Sequence, residues 1–224
     1  MKSFDKLMIR AKELFISRYG DKRAETIIRE SRREYQLLVT QIPYIGTITP
    51  SLIFFLPAVR YLAAYRVLKK MGYADESIGQ LIYEIGAVEV TAVPGYIKRI
   101  IGTIWFSPWL LGCIKIWALK SQKRKYAGDF VFTYVKSYGH EFDYGIDYIE
   151  CAICKFFREQ GALEVVPYVC AIDEIASDML GWGLHRTMTI STGYKKCDFR
   201  FKKRGKTFVK SHVPLKQFDA VIKV

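Results

Sequence analysis

The sequence predicts an α+β fold, and three observations carry that prediction. Over the first 120 residues apolar side chains recur at steps of three and four, the period of amphipathic helices. From Phe130 the period changes to two, as in half-buried strands. The second half then reads strand, strand, helix, helix, strand, strand, an order satisfied by helices gathered on one side of an antiparallel sheet. A helical layer over residues 1–120 should therefore pack on a four-stranded antiparallel sheet formed within 121–210. With 224 residues, half of them hydrophobic and 15% aromatic, the chain can bury a full core as a single domain over 1–224, and extended disorder is excluded.

Residues 4 to 18 place Phe4, Leu7, Met8, Ala11, Leu14 and Phe15 on one helical stripe. A second helix from Asp21 to Thr40 starts at a capping residue after Gly20, shows a sparse apolar side of Ile27, Ile28, Tyr35 and Leu38, and is stopped by Pro43. Thr49-Pro50 reads as a cap followed by proline at the first helical position, opening a helix through Leu68 toward Gly72, with Pro57 expected to kink or divide it. Asp75 should cap a helix to Val90, closed by Pro94-Gly95, and a fifth helical stretch over Ile97 to Leu119 should break at Ser107-Pro108.

Alternation then sets Phe130, Phe132 and Tyr134 against Val131, Thr133 and Val135, and Phe142, Tyr144, Ile146 and Tyr148 against Asp143, Gly145 and Asp147, with a turn near Tyr138-Gly139-His140. Cys151 to Gln160 and Pro167 to Leu180 read as helices ended by Gly161 and Gly181. Leu184 to Ile190 and Lys196 to Lys203 make a second hairpin around Gly193.

Lys and Arg exceed Asp and Glu by 13, a balance open to nucleic acid, a membrane surface or an anionic substrate. No nucleic-acid motif accompanies the densest cluster, Lys120 to Lys125, so nucleic acid is not an expected partner. Five cysteines without a secretory opening suit a reducing cytoplasm. Two uncharged runs, Ile42 to Val59 and Ile100 to Ile114, are interrupted by prolines or too short to span a bilayer, which needs about 20 apolar residues. They are expected to be buried core helices rather than membrane segments. Oligomeric state is not legible.

Cys151 and Cys154 share a helical face, and Cys170 and Asp173 repeat that spacing on the next helix. Buried core thiols, a reactive thiol and a metal ligand are the three readings of such cysteines. A site holding metal through Cys151, Cys154 and Cys170 is not favoured, because the second Cys-x2-Cys half of a zinc ribbon is missing; no cofactor is expected. A reactive thiol needs a cationic neighbour, for which Arg186, Arg200, His185 and Lys155 are available. Cys170 is the favoured nucleophile because Asp173 and Glu174 lie on its helical face. Arg186 shares a strand face with Leu184 and Met188 and must be paired there, with Asp173 or Asp198, or with a substrate carboxylate. Cys197 should face the core with Phe199 and Phe201, while His185 lies on the other strand face from Arg186 as a lesser candidate, above His140 and His212. Glycine-rich phosphate loops, His-Glu-x-x-His helices and serine elbows are missing.

The run Asp147-Tyr148-Ile149-Glu150-Cys151, with Lys155-Phe156, Pro167-Tyr168-Val169-Cys170, Asp173, Arg186-Thr187-Met188-Thr189, Gly193 and Cys197-Asp198-Phe199-Arg200-Phe201, resembles the L-2-amino-thiazoline-4-carboxylic acid hydrolase family. Cys154 and the turn Gly193-Tyr194-Lys195-Lys196 depart from the family pattern. The resemblance implies a hydrolase that opens a small cyclic amidine or thiazoline carboxylate, with Cys170, Asp173 and Cys151 as catalytic candidates and Arg186, Cys197 and His185 as substrate-binding ones. A ligand-binding or sensor module and a cysteine-ligated metal protein are the rival readings.

Overall fold

The computed structural model describes residues 1–45 and 51–216. The expected Thr49-Pro50 helix start lies outside them. Six helices come first: α1 (Lys2–Tyr19), α2 (Asp21–Thr40), α3 (Ser51–Lys70), α4 (Asp75–Thr91), α5 (Gly95–Trp105) and α6 (Pro108–Ser121). Strands β1 (Val131–Lys136) and β2 (Tyr144–Glu150) follow, then α7 (Ala152–Glu159), a 3₁₀ turn, α8 (Val166–Leu180), β3 (Leu184–Arg186), a second 3₁₀ turn at Ile190–Thr192, β4 (Cys197–Phe201) and β5 (Phe208–Val209).

The stripe of α1 is buried as its spacing predicts, and one hydrophobic cluster runs from Phe4 through the helices to Val209. Arg32 to Asp5 at 2.8 Å and Arg18 to Glu84 at 2.8 Å tie α1 to α2 and α4 at the surface. The helix starts differ in detail from the sequence reading. Gly20 and Ala74 occupy the cap positions, and Asp21 and Asp75 are the first helical residues, where their charge still meets the positive end of the helix. Pro57 does not divide α3. The carbonyl it leaves without a helical donor is that of Ile53, a residue 71% exposed, so water can serve instead.

The sheet has five strands in the order β1-β2-β4-β3-β5, correcting the expected four. Neighbours pair antiparallel except β3 and β5, which run parallel. Two residues are too few to show a period, and β5 is held by main-chain pairing, with the Lys210 amide donating to the Arg186 carbonyl at 2.9 Å. Strand β3 ends at Arg186, not Ile190. The Asp198 carboxylate accepts the Thr187 and Met188 amides at 2.9 and 2.6 Å and the Thr187 hydroxyl at 2.6 Å, so a side chain replaces the ladder and turns the chain aside.

Helix α8 lies against α4 at close range because α4 offers no side chain where they meet. A Cβ on Gly79 would come within 2.4 Å of the Tyr168 ring, and one on Gly86 within 2.3 Å of Ile172. Ser177 fixes the other side of α8: its hydroxyl accepts the Leu184 amide at 2.9 Å and lies 2.7 Å from the Thr207 hydroxyl. Beyond Gly181, a left-handed cap, Trp182 stacks on Trp105 of α5 with centroids 4.3 Å apart.

Neither apolar run is a fully buried core helix: residues 46–50 of the first lie outside the described residues, and of its part in α3 Phe55, Ala58 and Val59 are buried. Helix α5 buries no side chain and α6 buries only Ile114 and Ala118, while Ile53, Phe54 and Leu56 of α3 are exposed. No single helix among the described residues is long and apolar enough to cross a membrane; α5 and α6 together are, but they are bent by 62°. Hydropathy alone cannot say whether an apolar face has a neighbour, and the outer faces of α5 and α6 are exposed among the described residues.

Candidate active site

Helix α8 brings Cys170 and Asp173 to one face, three residues apart, and β3 carries Arg186 beneath them. The Arg186 side chain is only 2% exposed. Its Nη1 donates to the Asp173 carboxylate and its Nη2 to the Cys170 carbonyl at 3.0 Å, while the guanidinium lies 5.2 Å from the centre of the Phe199 ring. Nε is buried without a partner among the described residues. Of the two carboxylates weighed as partners, Arg186 takes Asp173, and Asp198 serves the turn after β3.

Around this pair the structure gathers Cys151, which caps α7, and Cys197, which opens β4. The Cys170 and Cys197 thiols both sense the charges of Arg186, Asp173 and Cys151. The Cys170 sulfur lies 3.6 Å from the Ser191 hydroxyl, and the Cys197 sulfur accepts the Ile190 amide at 3.2 Å. Cys154 is buried one turn along α7 from Cys151, and Cys113 lies apart on α6. Among the described residues no group of three or more His, Cys, Asp or Glu side chains is placed to hold a metal ion.

Electrostatics at this cluster oppose a resting thiolate. Burial pushes the Cys170 thiol well up, and Arg186 offsets only part of that. Burial likewise pushes Cys197 up to about 12, against the pull of the Ile190 amide. The Cys154 thiol, followed by burial, raises Cys151. Asp173 is drawn above the usual carboxylate range by its apolar surroundings, with Arg186 opposing, although 36% of its side chain stays open to solvent. That open edge is where a ligand can reach the ion pair.

The other cations proposed from sequence are elsewhere. His185 is on the opposite face of the sheet, stacked on Phe208 at 5.1 Å and paired across the strands with Arg200, so it does not share a site with Arg186. Arg200 and Lys196 bind Asp147 at 2.7 and 2.6 Å; burial works against the Asp147 charge, but these two cations outweigh it and hold its carboxyl below the usual range. Lys155 pairs with Glu150 and donates to the Ala127 carbonyl at 2.7 Å. His140 and His212 are outside the cluster as well, the latter 3.2 Å from the Thr187 carbonyl.

Two groups escaped the sequence reading. Tyr148 pairs with Cys197 across β2 and β4, and burial, then the charges of Asp173, Cys151 and Cys197, push its phenol up. Its shared parity with Tyr144 and Ile146 was the available signal. The second is a hydroxyl chain: Thr189 lies 3.1 Å from Ser191 and 3.0 Å from Thr192, ending at the Cys170 sulfur. The Ser and Thr density between Thr187 and Thr192 could have pointed to it.

Fold and site together define an α+β protein whose sheet and two inserted helices enclose three neutral thiols and one guanidinium–carboxylate pair. The family model for L-2-amino-thiazoline-4-carboxylic acid hydrolase matches residues 57–201, more than half of the chain and every member of this cluster, and the chain belongs to that family. No curated protein and no solved structure matches it.

Proposed function

We propose that the protein hydrolyses a small cyclic amidine carboxylate of the 2-aminothiazoline type, with Cys170 as nucleophile, Asp173 as proton carrier and Arg186 as carboxylate anchor, Cys151 and Cys197 lining the site. The observation supporting this is that Cys170 shares a face of α8 with the half-open Asp173–Arg186 pair, Arg186 also donating to the Cys170 carbonyl, in a chain whose family is named for such a reaction. The substrate carboxylate exchanges with Asp173 on the Arg186 fork, one anion for another, so the buried guanidinium stays paired. Asp173, released into apolar surroundings, becomes a stronger base.

It takes the Cys170 proton as the sulfur bonds to the amidine carbon, and returns that proton to the ring nitrogen receiving the C=N electron pair. A proton then passes from the exocyclic amine to the ring nitrogen, the ring C–N bond breaks, and the carbon is left joined to Cys170, the substrate sulfur and an imino nitrogen. Water adds there, Cys170 departs as a thiol, and a carbamoyl group remains on the substrate. The step consumes one water and no cofactor, and the five free cysteines suit a reducing cytoplasm.

The test is direct: purified protein is incubated with L-2-aminothiazoline-4-carboxylate and a panel of related cyclic amidine acids, and a product heavier by one water is followed by mass spectrometry. Turnover of at least one supports the reading. Saturable binding across the panel without turnover replaces it with a ligand-binding module, which the raised thiols would also suit.

A further inference from the structure

From Val90 to Gly128 the chain carries seven Lys and Arg residues and no Asp or Glu. This segment contains α5 and α6, whose outer faces are exposed among the described residues. Tyr96, Ile100 and Ile104 recur every four residues along the outer face of α5, and Trp109, Ile116 and Leu119 line that of α6, with Trp109 72% exposed. Phe54 of α3 continues the apolar surface, its ring 6.3 Å from that of Trp105. Lys120, Lys123 and Lys125 follow directly at the end of α6, all exposed, and Arg99 is exposed on α5.

We infer that the α5–α6 elbow is a docking surface for an anionic lipid membrane, lying in the plane of the headgroups with its apolar face turned inward. Apolar side chains edged by Tyr, Trp and cations are what interfacial helices present to lipid. Spanning does not fit. At 1.5 Å per residue α5 is about 16 Å long and α6 about 21 Å, against a hydrocarbon core of about 30 Å, and the bend of 62° prevents them from adding end to end. A second copy of the chain does not fit either: Arg124 is paired with Glu150 at 2.8 Å, and facing elbows would still set the other six cations of the segment against six. The elbow is also firmly mounted: a Cβ on Gly102 would lie 2.2 Å from the Leu180 carbonyl, so α5 abuts the end of α8.

Sedimentation of the full chain with large vesicles tests this, using phosphatidylcholine alone and phosphatidylcholine with 30% phosphatidylglycerol. The expected result is binding to the anionic vesicles at 0.1 M salt, at least tenfold weaker binding to neutral ones, and loss of most binding at 0.5 M salt. Trp109→Glu with Leu119→Glu should abolish it, and Lys120→Glu with Lys123→Glu should weaken it at least tenfold, each with an unchanged circular dichroism spectrum. No binding to anionic vesicles at low salt overturns the inference, as does equal binding by the charge-reversed variant. If Trp109→Glu instead turns a dimer into a monomer by light scattering while vesicle binding persists, the face is a contact between copies. Resistance of the bound protein to carbonate extraction would mean insertion and overturn the in-plane arrangement.

Discussion

The Ser191 hydroxyl lies 3.6 Å from the Cys170 sulfur and is the only hydrogen-bond neighbour of that sulfur among the described residues. Through Ser191 the thiol joins the Thr189 and Thr192 hydroxyls, a route by which its proton can be oriented without a histidine. If Cys170 is the nucleophile, Cys170→Ser should lower turnover by about three orders of magnitude or more while substrate still binds and the melting temperature barely moves. Ser191→Ala should cost far less. Turnover by Cys170→Ser near the wild-type rate would remove Cys170 from the mechanism.

The Arg186–Asp173 pair should respond unequally to truncation. Asp173→Ala leaves a guanidinium 2% exposed without its carboxylate and should cost about 2–3 kcal/mol, a value reduced from the fully buried case because water can enter where Asp173 stood. Arg186→Met leaves the Cys170 carbonyl without this donor and a carboxylate that is 36% open and can hydrate, and should cost about 1–2 kcal/mol. The double variant should lose less than the sum. Urea denaturation of the three proteins measures this, and the opposite order of the single variants would show that the pair is not organised around a buried Arg186.

Stability should decline in alkali for a reason located in the site. Burial raises the Cys170 and Cys197 thiols, and Cys154 with burial raises Cys151. Above the unfolded thiol value of about 8.5 the unfolded chain sheds protons that the folded chain keeps. The thiol contribution is therefore complete below about pH 8.5 and falls as pH climbs toward the folded value, about 12 for Cys197, at roughly 1.4 kcal/mol per pH unit for each thiol. Urea midpoints at pH 8, 9 and 10 should show it, and Cys197→Ala should make the fall shallower by one thiol's share. Parallel curves for the two proteins would contradict the protonated state of Cys197.

Much of this architecture was legible because period and punctuation are local. Asp21 to Thr40 emerges with the predicted bounds, Ser107-Pro108 breaks the fifth helical stretch, and strand parity already set His185 and Arg186 on opposite sides. What was illegible depends on neighbours distant in sequence. The two residues of β5 owe their state to the Arg186 carbonyl, and Asp198 cuts β3 short from eleven residues away through Thr187. Ile100 and Trp109 have the same hydropathy whether covered or bare. The thiols of Cys170 and Cys197 are shifted by a burial that no spacing reveals.

Close approach of α4 and α8 gives a prediction about position rather than chemistry. Gly86→Ala would add a methyl 2.3 Å from Ile172 Cδ1 and 2.6 Å from its Cγ1, pushing on the helix that carries Cys170 and Asp173. Overpacking should cost about 1–3 kcal/mol, more than the roughly 1 kcal/mol that alanine gains in helix propensity. Turnover should fall with stability, and Ile172→Ala should restore part of both in the double variant. An alanine at residue 86 that stabilises the protein would show that α8 has room to shift.

The stack of Trp105 on Trp182 has a practical consequence. Two indoles with centroids 4.3 Å apart and planes 19° from parallel couple their electronic transitions, and the elbow helix supplies one of them while the segment leaving α8 supplies the other. The chain therefore contains its own optical gauge: a paired signal in the near-ultraviolet circular dichroism reports the seating of α5 beside the site, without any attached label. Its loss before the far-ultraviolet signal on warming would mark the elbow detaching while the remaining helices stay wound.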